Sequence, residues 1–191
     1  MYVASWKQIS TLEKSGMVSN SQHSSSITQW QSPPCGFLKI NIDVAMDSER
    51  HRMGFGWAVR DASGVLLGMA MLTMEGLYSV KEAEAMGARE ALSWLKAKGW
   101  QSVILETDAQ VVTNAVRGGK NLTPFGAIID DIRSYLKELP YVRFQFVKRS
   151  GNMVAHTVAF HALHYSAGGF SECFTSSPRF LSAVMYGDFS H

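Results

Sequence analysis

One stretch of the chain reads Lys39-Ile40-Asn41-Ile42-Asp43-Val44-Ala45, and the interpretation of the remaining sequence depends on it. Apolar side chains at Ile40, Ile42 and Val44 alternate with polar ones, and alternation of period two is typical of a half-buried β-strand. Asp43 lies on the polar side near the end of this predicted strand. The pattern therefore places a carboxylate where the strand leaves the sheet.

Composition narrows the possible classes of protein. The 191 residues, 46% of them hydrophobic, suit one domain with extensions. A net charge of +2 permits a polyanionic partner without specifying one. Cys35 and Cys173 are far apart and lack zinc-ligand spacing, which excludes a disulfide framework and favours an intracellular protein, with nucleus or cytoplasm left open. No apolar run reaches the roughly 20 residues of a membrane span, so we expect a soluble protein without membrane association.

The order of elements predicts an α/β domain. Residues 1–36 are polar and serine-rich and are expected to form a flexible leader. The first strand is followed by a predicted hairpin of two strands, at 55–60 and 65–73, which gives three antiparallel strands. A short strand at 102–106 should then pair in parallel with the first through a right-handed crossover. Further helices at 108–117, 126–139 and 153–165 flank a fifth strand at 141–148. The tail, 166–191, is expected to be loosely ordered, with one short helix near 179–186.

Two further carboxylates are predicted to approach Asp43. The capping-box pattern Ser79-x-x-Glu82 begins a helix that Gly99 ends, and Glu84 lies on its apolar face. An acid on such a face costs free energy unless it is paired or bound to metal. Asp108 follows the strand at 102–106, and a capping box from Thr107 to Gln110 should place it in the first turn of the next helix. Ligand sites in open α/β sheets concentrate at such strand ends.

Several ordered motifs resemble one known family. Residues 37–165 are similar to the ribonuclease H-like domain of plant non-LTR retroelement reverse transcriptase proteins. The matching segments are 39–45, 54–61, 82–85, 89–92, 106–108 and 149–156, and the segment 178–188 resembles the C-terminal tail of that family. The resemblance implies a ribonuclease H-like fold with a five-stranded mixed sheet, three antiparallel strands followed by two parallel ones, flanked by helices. It implies a domain at 37–165, which lies between the polar leader at 1–36 and the tail at 166–191.

The resemblance also implies an activity. It is hydrolysis of the RNA strand of an RNA/DNA hybrid with two Mg²⁺ ions, for which Mn²⁺ can substitute. Hard Mg²⁺ prefers carboxylate oxygens, and paired ions about 4 Å apart suit in-line displacement at phosphorus. Asp43, Glu84 and Asp108 are then the expected catalytic metal ligands. His156 takes the fourth position, which is usually an aspartate in cellular ribonucleases H; a neutral imidazole can still bind metal or act as a base.

Four residues are assigned to nucleic-acid contact. Gly54 and Gly56 are expected to let the backbone approach the RNA strand closely. Arg149 can meet a phosphate or form a solvated basic edge, and Asn152 can contact the substrate or cap the last helix. Recognition through 2′-hydroxyls and minor-groove shape would give little sequence specificity.

Alternatives stay open at this point. Asp43 alone could form a hydrogen bond to a loop, and Glu84 could pair with a basic residue. Asp108 could interact favourably with the positive end of a helix dipole, and His156 could have a purely structural role. The first functional hypothesis is a monomeric, metal-dependent endonuclease. The second is a catalytically weak nucleic-acid-binding module derived from a retroelement. A 3′ to 5′ exonuclease is disfavoured because the segment 43–45 lacks the Asp-x-Glu of such enzymes.

Overall fold

Six strands form one mixed sheet in the computed structural model, which describes residues 29–166, 168–174 and 178–189. The strands are β1 (Leu38–Asp47), β2 (Arg52–Arg60), β3 (Leu66–Glu75), β4 (Val103–Thr107), β5 (Val142–Phe146) and β6 (Gly169–Cys173). They lie in the order β5-β4-β1-β2-β3-β6. The three-strand meander is antiparallel, and β4 and β5 run parallel to β1. The predicted fold class is therefore confirmed.

The prediction of five strands is one too few. Residues 169–173, assigned to a loose tail, form β6 and pair antiparallel with β3. The pairing uses the backbone N–H and C=O groups that β3 would leave unpaired at the edge of the sheet. Those groups belong to β3, so the sequence of β6 alone does not predict the pairing. Glu172 then accepts hydrogen bonds from Trp94 Nε1 at 2.8 Å and from Lys98 Nζ at 2.8 Å, which fix the new strand against the neighbouring helix.

The described residues form five α-helices on the two sides of the sheet. They are α1 (Val80–Lys98), α2 (Gln110–Arg117), α3 (Pro124–Glu138), α4 (Met153–His164) and α5 (Ser182–Phe189). At the start of α1 the Ser79 backbone N–H donates to Glu82 at 2.9 Å, as the capping box predicts, and Gly99 ends the helix at φ 66°. Helix α5 overlaps the short helix expected near 179–186. Within the described part of the chain, no helix is both long and apolar enough to span a bilayer.

Alternating side chains of β2 build the two sides of the core. Phe55, Trp57 and Val59 join the cluster around α1 and α3, whereas Ala58 joins the cluster around α4. This division follows from strand geometry, because successive side chains of a β-strand point to opposite faces of the sheet. Helices α1 and α4 thus approach the sheet from opposite sides.

A buried polar network ties the described ends of the chain to the sheet. Trp30 is 6% exposed and its Nε1 donates to Asn41 Oδ1 at 2.9 Å. Arg60, 1% exposed, lies under the same indole with its guanidinium carbon 4.3 Å from the ring centroid. Its Nη1 is 2.7 Å from Asp188 Oδ2 of α5, an ionic contact without a well-aligned hydrogen bond. Packing therefore extends beyond 37–165 on both sides; residues 1–28 lie outside the described residues, and the domain limits stay a prediction.

We expect Asp188→Ala to destabilise the protein strongly, because Arg60 would remain buried without its partner. Loss of one member of a buried pair typically costs about 3–5 kcal/mol. Urea unfolding followed by tryptophan fluorescence measures the change. Lys96→Ala is the control, since the Lys96–Glu138 pair is solvent-exposed and its loss should change the stability little. Equal losses in the two variants would contradict a structural role for the Arg60–Asp188 pair.

Candidate metal centre

Asp43 is the most deeply buried acid of the candidate site. It lies in β1 opposite Gly56 and is 2% exposed. Its Oδ1 accepts a hydrogen bond from Arg149 Nη1 at 2.9 Å, and its Oδ2 lies 2.8 Å from His156 Nδ1. Both carboxylate oxygens are thus directed toward groups that arrive from the turn before α4 and from α4 itself.

Asp108 lies between β4 and α2 rather than inside the helix. The predicted capping box is wrong, because α2 begins at Gln110 after Ala109, and Thr107 Oγ1 accepts from the Ala109 backbone N–H at 3.1 Å. The side chain of Thr107 therefore stabilises the turn that carries Asp108. Asp108 Oδ2 accepts from Arg149 Nη1 at 2.7 Å.

Three carboxylates meet at this place. One oxygen each of Asp43, Glu84 and Asp108 lies within 4.8 Å of the others. Glu84 comes from the first half of α1, Asp43 from β1, and Asp108 from the turn after β4, so three separate elements must pack correctly to bring the oxygens together. Such a cluster of oxygen ligands suits a hard divalent cation such as Mg²⁺. His156 adjoins it through Asp43.

Burial and mutual repulsion change how readily the acids ionise. The pKa of Glu84 is raised to about 8, first by burial and then by the charges of Asp43 and Asp108. The pKa of Asp43 is raised to about 6 by burial and by Asp108, against the lowering effect of Arg149 and His156. At neutral pH, without a cation, Glu84 therefore keeps its proton. A cation must displace that proton to use the carboxylate, so cation affinity should rise with pH.

We expect Glu84→Gln to stabilise the metal-free protein at high pH. The folded-state pKa is raised from 4.5 to about 8, so the stability linked to this proton is fully present below about pH 4.5 and is lost as the pH rises through about 8. In EDTA, the free energy of unfolding of the wild type should fall relative to the variant between about pH 5 and pH 9. Each unit by which the pKa differs between the folded and the unfolded protein corresponds to about 1.4 kcal/mol in the free energy of unfolding, which urea unfolding measures.

Glu82→Gln serves as the matched control for that comparison. Glu82 lies on the same helix, but hydrogen bonds from Ser79 lower its pKa. The stabilisation by ionised Glu82 is lost on acidification. The free energy of unfolding of Glu82→Gln should therefore not rise relative to the wild type at high pH. Parallel pH curves for the wild type and Glu84→Gln would show that Glu84 ionises without hindrance.

The two glycines predicted to face RNA have another role. A Cβ on Gly54 would lie 2.3 Å from the Leu163 backbone nitrogen, and one on Gly56 would lie 2.3 Å from that of Ala159. Both distances are far shorter than any real contact, because α4 packs directly on the backbone of β2 there. The expectation that these glycines admit RNA is therefore corrected: α4 occupies the space.

Asn152 is also placed differently from either sequence-based alternative. It precedes α4, but its side chain makes no capping hydrogen bond. At 1% exposure it is too buried to meet a ligand from solvent. Its Nδ2 instead donates to Asp108 Oδ1 at 3.0 Å and to the Ile42 carbonyl at 2.9 Å. Asn152 thus ties the candidate ligand Asp108 to the backbone of β1.

We expect Asn152→Ala to weaken Mn²⁺ binding by about 10- to 100-fold, the range observed when a group that orients a metal ligand is removed. Electron paramagnetic resonance of free Mn²⁺ measures the affinity, with urea unfolding run alongside to confirm folding. Asn121→Ala, in the exposed loop before α3, is the control. If both variants bound Mn²⁺ like the wild type, Asn152 would have no part in holding Asp108.

Sequence reasoning missed the bridging role of Arg149. The structure directs its guanidinium into the carboxylate cluster, where it contacts Asp43, Asp108 and His156. A signal existed, because β5 was predicted to be the last strand of the sheet and Arg149 follows it closely. Since parallel strands end at one edge, a residue just after β5 lies near the residue just after β4, which is Asp108.

Comparison with known proteins agrees with this fold. A family model described as reverse transcriptase-like matches residues 41–162. A protein of Arabidopsis thaliana named as a ribonuclease H protein is 28% identical over 160 residues, 83% of this chain; the chain spans 25% of that relative's length.

Solved structures with the same fold are more distant in sequence. RNase H1 of the halophilic archaeon Halobacterium salinarum has a TM-score of 0.60 at 21% identity, covering 68% of this chain and 98% of that one. LC11-RNase H1 in complex with an RNA/DNA hybrid has a TM-score of 0.59 at 16% identity, covering 66% and 96%. The match to the family model extends over more than half of the sequence. The chain therefore belongs to the reverse transcriptase-like family, as a ribonuclease H-like domain of the retroelement type.

Proposed function

We propose that the chain is a divalent-metal-dependent endonuclease that hydrolyses the RNA strand of RNA/DNA hybrids. The observation that carries the proposal is the meeting of Asp43, Glu84 and Asp108, with oxygens within 4.8 Å of one another, on a ribonuclease H-like fold. A solved relative of this fold is in complex with an RNA/DNA hybrid, which supports the choice of substrate.

The residues present fit Mg²⁺, with Mn²⁺ as a substitute. Asp43, Glu84 and Asp108 would hold the metal, because carboxylate oxygen suits both ions, and His156 would complete the set through a ring nitrogen. Bound divalent ions supply an activated water and stabilise the leaving oxygen during displacement at phosphorus.

The chain itself contributes position and proton handling. Asn152 fixes the orientation of Asp108, and burial of Asp43 excludes water from one side of the cluster. His156 Nδ1 already lies 2.8 Å from Asp43, so its imidazole can exchange a proton at the rim of the site, where its side chain is 34% exposed. The guanidinium of Arg149, whose side chain is half-exposed, would meet a phosphate of the substrate once it leaves the two acids.

A second candidate function is a catalytically weak hybrid-binding module. The observation in its favour is the charge at the site, where the Arg149 guanidinium contacts both Asp43 and Asp108 and lowers the net negative charge that would attract cations. Both candidates share the fold and the partner, and they differ only in turnover.

We expect hybrid cleavage in Mg²⁺ or Mn²⁺ that falls by at least about a hundredfold in Asp43→Asn, because a candidate ligand oxygen of Asp43 lies within 4.8 Å of those of both other acids. A hybrid labelled at one end should give internal products rather than stepwise trimming. His156→Asp should keep or increase the rate if the histidine limits cation binding. Size-exclusion chromatography should show a monomer.

Hybrid binding without cleavage that depends on Asp43 would favour the binding module over the nuclease. Glu90→Gln, on the same helix as Glu84 but paired with Arg89, is the control and should leave the rate unchanged.

A further inference from the structure

The Arg149 guanidinium lies inside the carboxylate cluster. Arg149 opens the short turn Arg149–Gly151 that leads into α4. Its Nη1 donates to Asp43 Oδ1 at 2.9 Å and to Asp108 Oδ2 at 2.7 Å, and its Nη2 contacts His156 Nδ1. One positively charged nitrogen therefore bridges an oxygen from each of two acids that are also candidate metal ligands.

The charges explain why a guanidinium is favourable between these two acids. Asp43 and Asp108 repel each other in a poorly solvated place, and a cation between them relieves that repulsion. A guanidinium can do this with two directed hydrogen bonds, and here both come from Arg149 Nη1. Arg149 thus supplies, from within the chain, the positive charge that the cluster requires.

A divalent cation and this guanidinium cannot share the same oxygens. A metal ion bound to Asp43 Oδ1 and Asp108 Oδ2 would lie within a few Å of the Arg149 nitrogen, where like charges repel strongly. The Arg149 side chain can move into the solvent because it is 50% exposed, whereas the Asp43 side chain is 0% exposed and stays in place. The arginine is therefore the member of the pair that must move.

His156 is coupled to the same exchange. Its Nδ1 faces both Arg149 Nη2, which can only donate, and Asp43 Oδ2, which can only accept when ionised. A single ring nitrogen cannot accept from one and donate to the other in the same protonation state. Departure of Arg149 removes this conflict and leaves the imidazole to Asp43 or to a cation.

We propose that Arg149 is an internal counter-cation that occupies the metal position in the free protein and must be displaced before a divalent cation binds. The inference rests on the proposed function, since it takes Asp43 and Asp108 to be metal ligands. It assigns to Arg149 control over the cation affinity of the free domain: every cation that enters must first break the contacts of Arg149 with both acids.

Mn²⁺ titration by electron paramagnetic resonance, at about pH 8 on the full chain, tests the proposal with four proteins. Arg149→Ala should bind Mn²⁺ at least about tenfold more tightly than the wild type, as expected for removing a unit charge a few Å from the ion. Arg143→Ala is the matched control: Arg143 is an exposed arginine of β5 that lies against the Phe37 ring, and its loss should change the affinity little. Asp43→Asn should abolish tight binding.

The outcomes separate the two levels of inference. Equal Mn²⁺ affinity in the wild type and Asp43→Asn would overturn the metal centre itself. Loss of binding in Asp43→Asn, with Arg149→Ala binding no more tightly than the wild type or Arg143→Ala, would leave the metal centre standing and overturn the counter-cation.

A second measurement does not depend on the folding of Arg149→Ala. Nitrogen-15 NMR of the wild type, with the Arg149 side-chain signal assigned by its absence from Arg149→Lys, should show a hydrogen-bonded guanidinium in EDTA. Titration with Mg²⁺ should shift that signal to the position of a solvated arginine. A signal that stays unchanged while Mg²⁺ saturates the site would overturn the proposal.

Discussion

Concentrating three carboxylates within 4.8 Å is the constraint on which the structure of this domain depends. Such a cluster is unfavourable by itself, because each acid is partly desolvated and raises the cost of ionising its neighbours. The raised pKa values of Glu84 and Asp43 express that cost. A fold can retain the cluster only if packing elsewhere stabilises it and if a positive charge is close at hand.

The surrounding structure provides both. Side chains of β2 fill the space under α1, and glycines of the same strand let α4 approach the sheet backbone. These two helices deliver Glu84 and His156 from opposite faces to Asp43 in β1. The positive charge comes from Arg149 in the turn before α4, so the element that brings the last site residue also brings the group that neutralises the acids.

Much of this arrangement could be predicted from local patterns. Period-two alternation identified β1, and the capping box with Gly99 gave the limits of α1 to within a residue. The helical wheel placed Glu84 toward the sheet because the apolar residues of α1 share one face. Strand β6 could not be predicted in this way, since its stability comes from the open edge of β3. The roles of Gly54, Gly56 and Asn152 depend on how α4 and its preceding turn dock, which a single sequence does not encode locally.

The Arg60–Asp188 contact bears on how the domain is made. Arg60 leaves the ribosome long before Asp188, and the segment matched by the family model ends at residue 162, short of that acid. During synthesis the sheet can therefore begin to form around an arginine whose counter-ion does not yet exist. Until α5 has been synthesised, burying that guanidinium is unfavourable, so completion of the core is deferred until that helix is available to pack. A fragment cut at the limits of the family match would stay permanently at that stage.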